Sequence, residues 1–140
     1  MFQHMILKKK ILCVLAGIFL VLIVWTAWGN TALELNTYTI CSGSLPDVFD
    51  GYRIAQVSDL HNAEFGDRNQ LLLEMLWETE PDMIAITGDL IDSRKTNLAV
   101  ALDFANEAVQ IAPCYYVSGN HEARVPEYQE LKVGLEAAGV

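Results

Sequence analysis

The hydrophobic pattern divides the chain into two regimes. From Ile11 to Trp28 the run ILCVLAGIFLVLIVWTAW carries no charge, whereas beyond Asn30 apolar residues come in short clusters between polar turns. At a rise of about 1.5 Å per residue the first run can just cross a hydrocarbon layer about 30 Å thick, and a soluble core helix would not be apolar all round. Trp25 and Trp28 at its far edge, and Lys8, Lys9 and Lys10 at its near edge, suit the two interfaces. The expectation is a single-pass anchor over residues 11–29 in the cell membrane. The positive-inside tendency then puts residues 1–10 in the cytoplasm and the rest outside. A cleaved signal peptide competes, with Ala27 and Gly29 as small residues before a cut, but the run exceeds the usual signal core.

In residues 30–51, TALELNTYTICS (Thr31 to Ser42) alternates partially and reads as a strand, and Gly43 to Gly51 reads as a loop. From residue 52 the period changes repeatedly between two and 3.6. YRIAQVS is a strand. Asp67 can cap a helix running to about Glu80, with Leu72, Met75, Leu76 and Thr79 on one stripe and Pro81 ending it. Met83 to Thr87 is a strand, and Asn97 opens a second helix with Leu98, Leu102, Ala105 and Val109 at helical spacing. Tyr115 to Ser118 is a strand, and Pro126 starts a third helix with Leu131 and Leu135 inward and Gly139 near its end. The order βαβαβα predicts an α/β domain with parallel strands and right-handed crossovers.

Charge narrows the function classes. All 18 acidic residues lie beyond Asn30, with only six of the nine basic ones, so the surface repels a nucleic-acid backbone and no duplex partner is expected. Cysteine adds little: Cys13 sits in the apolar run, and Cys41 and Cys114 show no zinc spacing, which leaves a disulfide between them open if this part is exported.

The chemistry sits where the strands end. Asp59 and His61 follow the first, Gly88 and Asp89 the second, and Gly119, Asn120, His121 and Glu122 the third. Residues two apart at a strand end share a side, and in open α/β sheets ligands gather at the carboxyl ends of strands. Each group alone has an ordinary explanation, since Gly88-Asp89 and Asn120 suit turns and His121 suits a surface. The spacings of 30 and 31 residues from Asp59 to Asp89 to Asn120, each behind its own apolar run, argue for one shared site. Oxygen and imidazole donors suit divalent Mn, Fe or Zn. Asp59 and His61 would bind one ion, Asp89 would bridge, and Asn120 would hold a second. His121 could protonate a leaving oxygen, with Glu122 orienting it.

The set SDLH (Ser58 to His61), GDL (Gly88 to Leu90) and GNHE (Gly119 to Glu122) resembles the N-terminal half of the calcineurin-like metallophosphoesterase superfamily. SLPDVFDGYRIAQVSDLH is similar to its bacterial membrane-anchored members. The resemblance, from about Thr37 onward, implies half of a four-layered αββα sandwich, with residues 52–140 as the N-terminal part of the domain. It implies Asp59, His61, Asp89 and Asn120 as ligands of two divalent metal ions, and His121 as the transition-state histidine of a phosphoester hydrolase, phosphodiesterase or phosphatase.

That family closes its site with later histidines, including a Gly-His-x-His pair, whereas this sequence holds only His4, His61 and His121. The expectation is therefore a truncated chain that binds metal weakly and hydrolyses little. The alternative is a non-catalytic membrane-anchored remnant acting as an interaction module. A nucleotide-binding domain is weaker still, since no Gly-rich phosphate loop follows any strand. An exported, tethered site would suit an envelope or lipid-linked phosphoester.

Overall fold

The computed structural model describes residues 2–140, with the side chains of residues 1–8, 27, 28, 30 and 31 outside that description. The Lys8 and Trp28 flanks expected of the anchor fall among those side chains. The chain divides into two units, Met1–Glu34 and Leu35–Val140.

The first unit is a helix, α1 (Phe2–Thr31). Its stretch Lys9–Thr26 is long and apolar enough to cross a membrane, and none of that stretch is buried by the protein.

In the second unit, β1 (Ile54–Val57), β2 (Met83–Thr87) and β3 (Cys114–Val117) alternate with α2 (Gln70–Glu78), α3 (Leu98–Ala108) and α4 (Tyr128–Ala138). The sheet runs β1-β2-β3, all parallel, with Ile54 beside Met83 and Ile84 beside Cys114. This is the expected α/β order. Asp82 pins the start of the register, its carboxylate accepting from Arg53 N at 2.7 Å while its own N–H donates to Arg53 O at 2.9 Å.

Strand alternation sorts the side chains. Val57, Ile84, Ile86 and Cys114 are buried on the helix-covered face, whereas Ile54, Gln56, Tyr115 and Val117 stand exposed on the other. Against the covered face lie Leu72 and Leu76 of α2, Phe104 and three alanines of α3, and Leu131 and Leu135 of α4. Burying a side chain of the size of Phe104 stabilises the fold by about 2–3 kcal/mol.

Three sequence expectations need correction. Residues 32–41 form no strand: Tyr38 and Ile40 are exposed at 84% and 83%. A partly alternating pattern makes a strand only where a neighbouring strand completes its backbone hydrogen bonds, and none among the described residues does. In α3 the buried stripe is Ala101, Phe104, Ala105 and Ala108, rotated from the expected Leu98, Leu102, Ala105 and Val109. Small alanines let the helix approach the sheet closely, and Leu102 instead meets Gly134 of α4. Asp67 opens a single 3-10 turn before α2 and does not cap it, that place falling to Asn69. The disulfide left open is absent as well, since Cys41 is an exposed free thiol and Cys114 a buried one.

Candidate metal centre

The ends of the three strands meet in a backbone lattice that continues past the sheet. Asp59 N donates to Gly88 O at 3.1 Å, His61 N to Asp89 O at 2.9 Å and Asn62 N to Leu90 O at 3.1 Å. β1 itself ends at Val57, so strand alternation does not align Asp59 with His61. Both occupy the left-handed region, with φ of 57° and 47°, while Leu60 between them turns inward. Asn62 and Asp89 share that backbone state, at φ of 60° and 50°. Such clustering of costly conformations is typical of functional sites.

Two glycines allow the β2 and β3 loops to touch. Gly88 has φ of 91°, and a Cβ there would lie 2.8 Å from Gly119 Cα. A Cβ on Gly119 would fall onto Asp89 Oδ1 and come within 2.5 Å of Asp89 N. Behind this contact lies Glu122, whose side chain is fully buried. Its Oε2 accepts from Gly119 N at 2.8 Å and Asp89 N at 3.0 Å, and Oε1 from Ile91 N at 3.1 Å. Glu122 therefore ties the two loops together, a different task from orienting His121.

The ligand atoms of His61, Asp89 and His121 all lie within 4.8 Å of one another. His61 Nε2 stands 3.6 Å from Asp59 Oδ1 and 4.0 Å from Asp89 Oδ2. Ligand bonds of about 2.0–2.2 Å place two donors on one ion about 3–4 Å apart, so these spacings and this donor set fit a divalent cation. Asp89 is nearly buried, and its Oδ1 accepts from His121 N at 2.8 Å, which leaves Oδ2 toward His61. Asp59 is more open and takes a 2.5 Å hydrogen bond from Ser58 Oγ. His61 Nδ1 is buried and makes no hydrogen bond among the described residues. Asn120 is exposed in the loop after β3, beside His121, and its side chain bonds to none of the described residues.

The environment of His121 was not anticipated. Its ring meets that of His61 edge-on, with centroids 4.3 Å apart. Its Nδ1 accepts from Ser93 N at 3.0 Å, with Ser93 Oγ at 3.2 Å and Asp92 Oδ1 at 3.4 Å. The Arg94 guanidinium, bonded to Asp92 through Nε and Nη2, and the Arg94 backbone N–H hold the Asp92 carboxyl well below the usual carboxylate range. Asp92 therefore stays anionic beside the imidazole. In the sequence DSRKT reads only as a polar connection, and the one available signal is an acid three residues after Asp89.

Comparison with known proteins adds independent support. The calcineurin-like phosphoesterase family matches residues 52–137. An uncharacterized metallophosphoesterase of Bacillus subtilis, YkuE, is 38% identical over 66 residues, 46% of this chain and 23% of that protein. A second from the same organism, YkoQ, is 30% identical over 135 residues, covering 92% of this chain and 50% of that protein. A zebrafish (Danio rerio) protein named transmembrane protein with metallophosphoesterase domain is 32% identical over 100 residues, 66% of this chain and 23% of its own length. The chain thus spans between about a quarter and half of the length of these curated relatives. No solved structure matches it. With the family match covering more than half of the chain, and the SDLH, GDL and GNHE loops converging at the strand ends, the chain belongs to the calcineurin-like phosphoesterase family.

Proposed function

We propose that this chain carries the site of a metal-dependent phosphoester hydrolase, a phosphodiesterase or phosphatase, tethered to the cell membrane by α1. The observation that carries this reading is the convergence of His61, Asp89 and His121 within 4.8 Å. Asp59 and His61 would hold a first ion, Asp89 would be shared, and Asn120 would offer its carbonyl to a second. Two divalent ions, Mn, Fe or Zn, would supply an activated water and charge neutralisation at the phosphoryl oxygens.

His121 donates a proton to the leaving oxygen from Nε2. Ser93 N and the Asp92 carboxylate, 3.0 and 3.4 Å from Nδ1, hold the ring by its other nitrogen. Asp89 orients the same residue through its backbone N–H. The strongly acidic surface disfavours polyanionic substrates approached over a wide area, and tethering favours an envelope or lipid-linked phosphoester. By the positive-inside tendency of Lys8 to Lys10 the N-terminus is cytoplasmic and the site lies outside.

Calorimetric titration of the full chain in detergent with Mn²⁺ tests the reading. Uptake should saturate and should weaken at least about ten-fold in His61→Gly, which removes the imidazole without straining a residue at φ of 47°. Equal uptake by both chains would discard the metal site and leave a membrane-anchored interaction module.

A further inference from the structure

Residues 42–52, which lead into β1, form a turn that closes on itself. Leu45 N donates to Ser42 O at 3.2 Å, Phe49 N to Pro46 O at 3.0 Å, Asp50 N to Asp47 O at 3.0 Å and Tyr52 N to Phe49 O at 3.1 Å. Within it, Asp47–Phe49 is a 3-10 turn that buries none of its residues. The side chains it presents are nevertheless apolar: Val48 is 77% exposed, and Leu45, Phe49 and Tyr52 are also open to solvent. The Phe49 and Tyr52 rings stand edge to face, with centroids 5.5 Å apart. Large apolar groups ordered in this way, and left uncovered by the described residues, mark a contact surface.

Three features select lipid as the occupant. The first is the backbone: a turn that bonds to itself needs no strand partner, unlike residues 32–41, and so can enter a medium poor in water. The second is the tether. Leu45 follows the end of α1 at Thr31 by 14 positions. An irregular link of that length has a root-mean-square reach of about 20 Å, so a bilayer that holds α1 is always near. The third is composition: phenol and phenyl rings suit the head-group level, and residues 32–52 contain no Lys or Arg. Asp47 and Asp50 beside the rings would be repelled by anionic lipids, which leaves zwitterionic head groups as the match. We infer that the 42–52 turn is a second membrane contact, seating Val48, Phe49 and Tyr52 at the head-group level of a zwitterionic bilayer. Seated there, it holds the domain against the membrane instead of on a free tether. The inference rests on the reading of α1 as a membrane anchor and is independent of the metal site.

The test uses the full chain carrying Cys13→Ala, labelled with bimane in detergent at the exposed Cys41 thiol, which adjoins the turn, while the buried Cys114 is spared. The labelled chain is moved into phosphatidylcholine nanodiscs in which some lipids carry a nitroxide at the head group, a quencher that acts only close to contact. The dye should be quenched. Val48→Ser together with Phe49→Ser removes apolar surface while leaving the backbone bonds of the turn in place. These changes should lower the seated-to-free ratio read from the quenching by at least about ten-fold. Adding anionic phosphatidylglycerol should weaken the quenching as well. A chain that enters the discs with its dye unquenched overturns the inference and leaves the anchor standing, whereas a chain that fails to enter discards both. Equal quenching in the parent and the serine variant overturns it by tracing the contact to the tether alone. So does quenching that grows with anionic lipid, or that appears only when two copies share a disc, which would make a second chain the occupant.

Discussion

At Glu122 a single buried carboxylate accepts three backbone N–H groups from two loops. Hydrogen bonds to a charged acceptor are each worth about 1.5–3 kcal/mol, and an orphaned buried donor costs about 1–3 kcal/mol. Glu122→Gln keeps the shape but turns an NH₂ toward donors. It should therefore lower unfolding stability by about 2–3 kcal/mol, read from urea or thermal unfolding of the full chain, and weaken Mn²⁺ uptake because Asp89 N loses its anchor. A loss smaller than that of a typical surface substitution would contradict the role. Cys114 gives a second residue-scale test. Burial pushes its thiol up to about 11, so the folded state binds that proton more tightly than the unfolded chain does. Stability should fall as pH rises from the ordinary thiol range toward that value. At pH 8 alkylation should label the exposed Cys41 and spare Cys114, as mass spectrometry of peptides would show. The sequence displays Asp59, His61, Asp89, Asn120 and His121 as candidates because each follows an apolar run. It hides Asn62, Asp92 and Ser93, because their roles arise from backbone contacts across some 30 positions that no local pattern encodes.

Among elements, the parallel strands are legible and the helix faces less so. Met83–Thr87 is read at its observed bounds because five apolar or β-branched residues sit between Pro81 and Gly88. The face of α3 is misjudged because large side chains at Leu98, Leu102 and Val109 outweigh the alanines that the sheet admits. The segment at residues 32–41 reads as a strand because propensity knows nothing of a missing neighbour. Loop contact is the element-scale feature that the sequence does mark, through Gly88 and Gly119. Gly119→Ala would drive a methyl group into Asp89, whose backbone and side chain are both held, so the β2 and β3 loops must separate. The expected result is loss of Mn²⁺ uptake by at least about ten-fold, with far-UV circular dichroism of the α/β unit retained. An alanine chain that still binds Mn²⁺ like the parent would show that the close approach is dispensable.

For the whole molecule, topology decides which surface is left open. Strands taken in chain order with right-handed crossovers place every connecting helix on one side, so the β1-β2-β3 sheet has a covered face and a bare one. The bare face carries Ile54, Tyr115 and Val117 at 60%, 62% and 61% exposure. Apolar side chains presented side by side on a sheet, with β1 and β3 both edge strands, favour association over solvation. Acidic self-repulsion across the second unit opposes this, and its range shrinks with salt. The balance makes association salt-dependent: the full chain in detergent should sediment closer to monomer at low ionic strength and self-associate as salt rises. Val117→Lys, exposed at the edge and outside the loop lattice, should suppress that association while leaving the unfolding midpoint nearly unchanged. An unaltered sedimentation profile in the lysine variant would place the contact elsewhere, and association that weakens with salt would mean that charge pairing, not the bare sheet face, drives it.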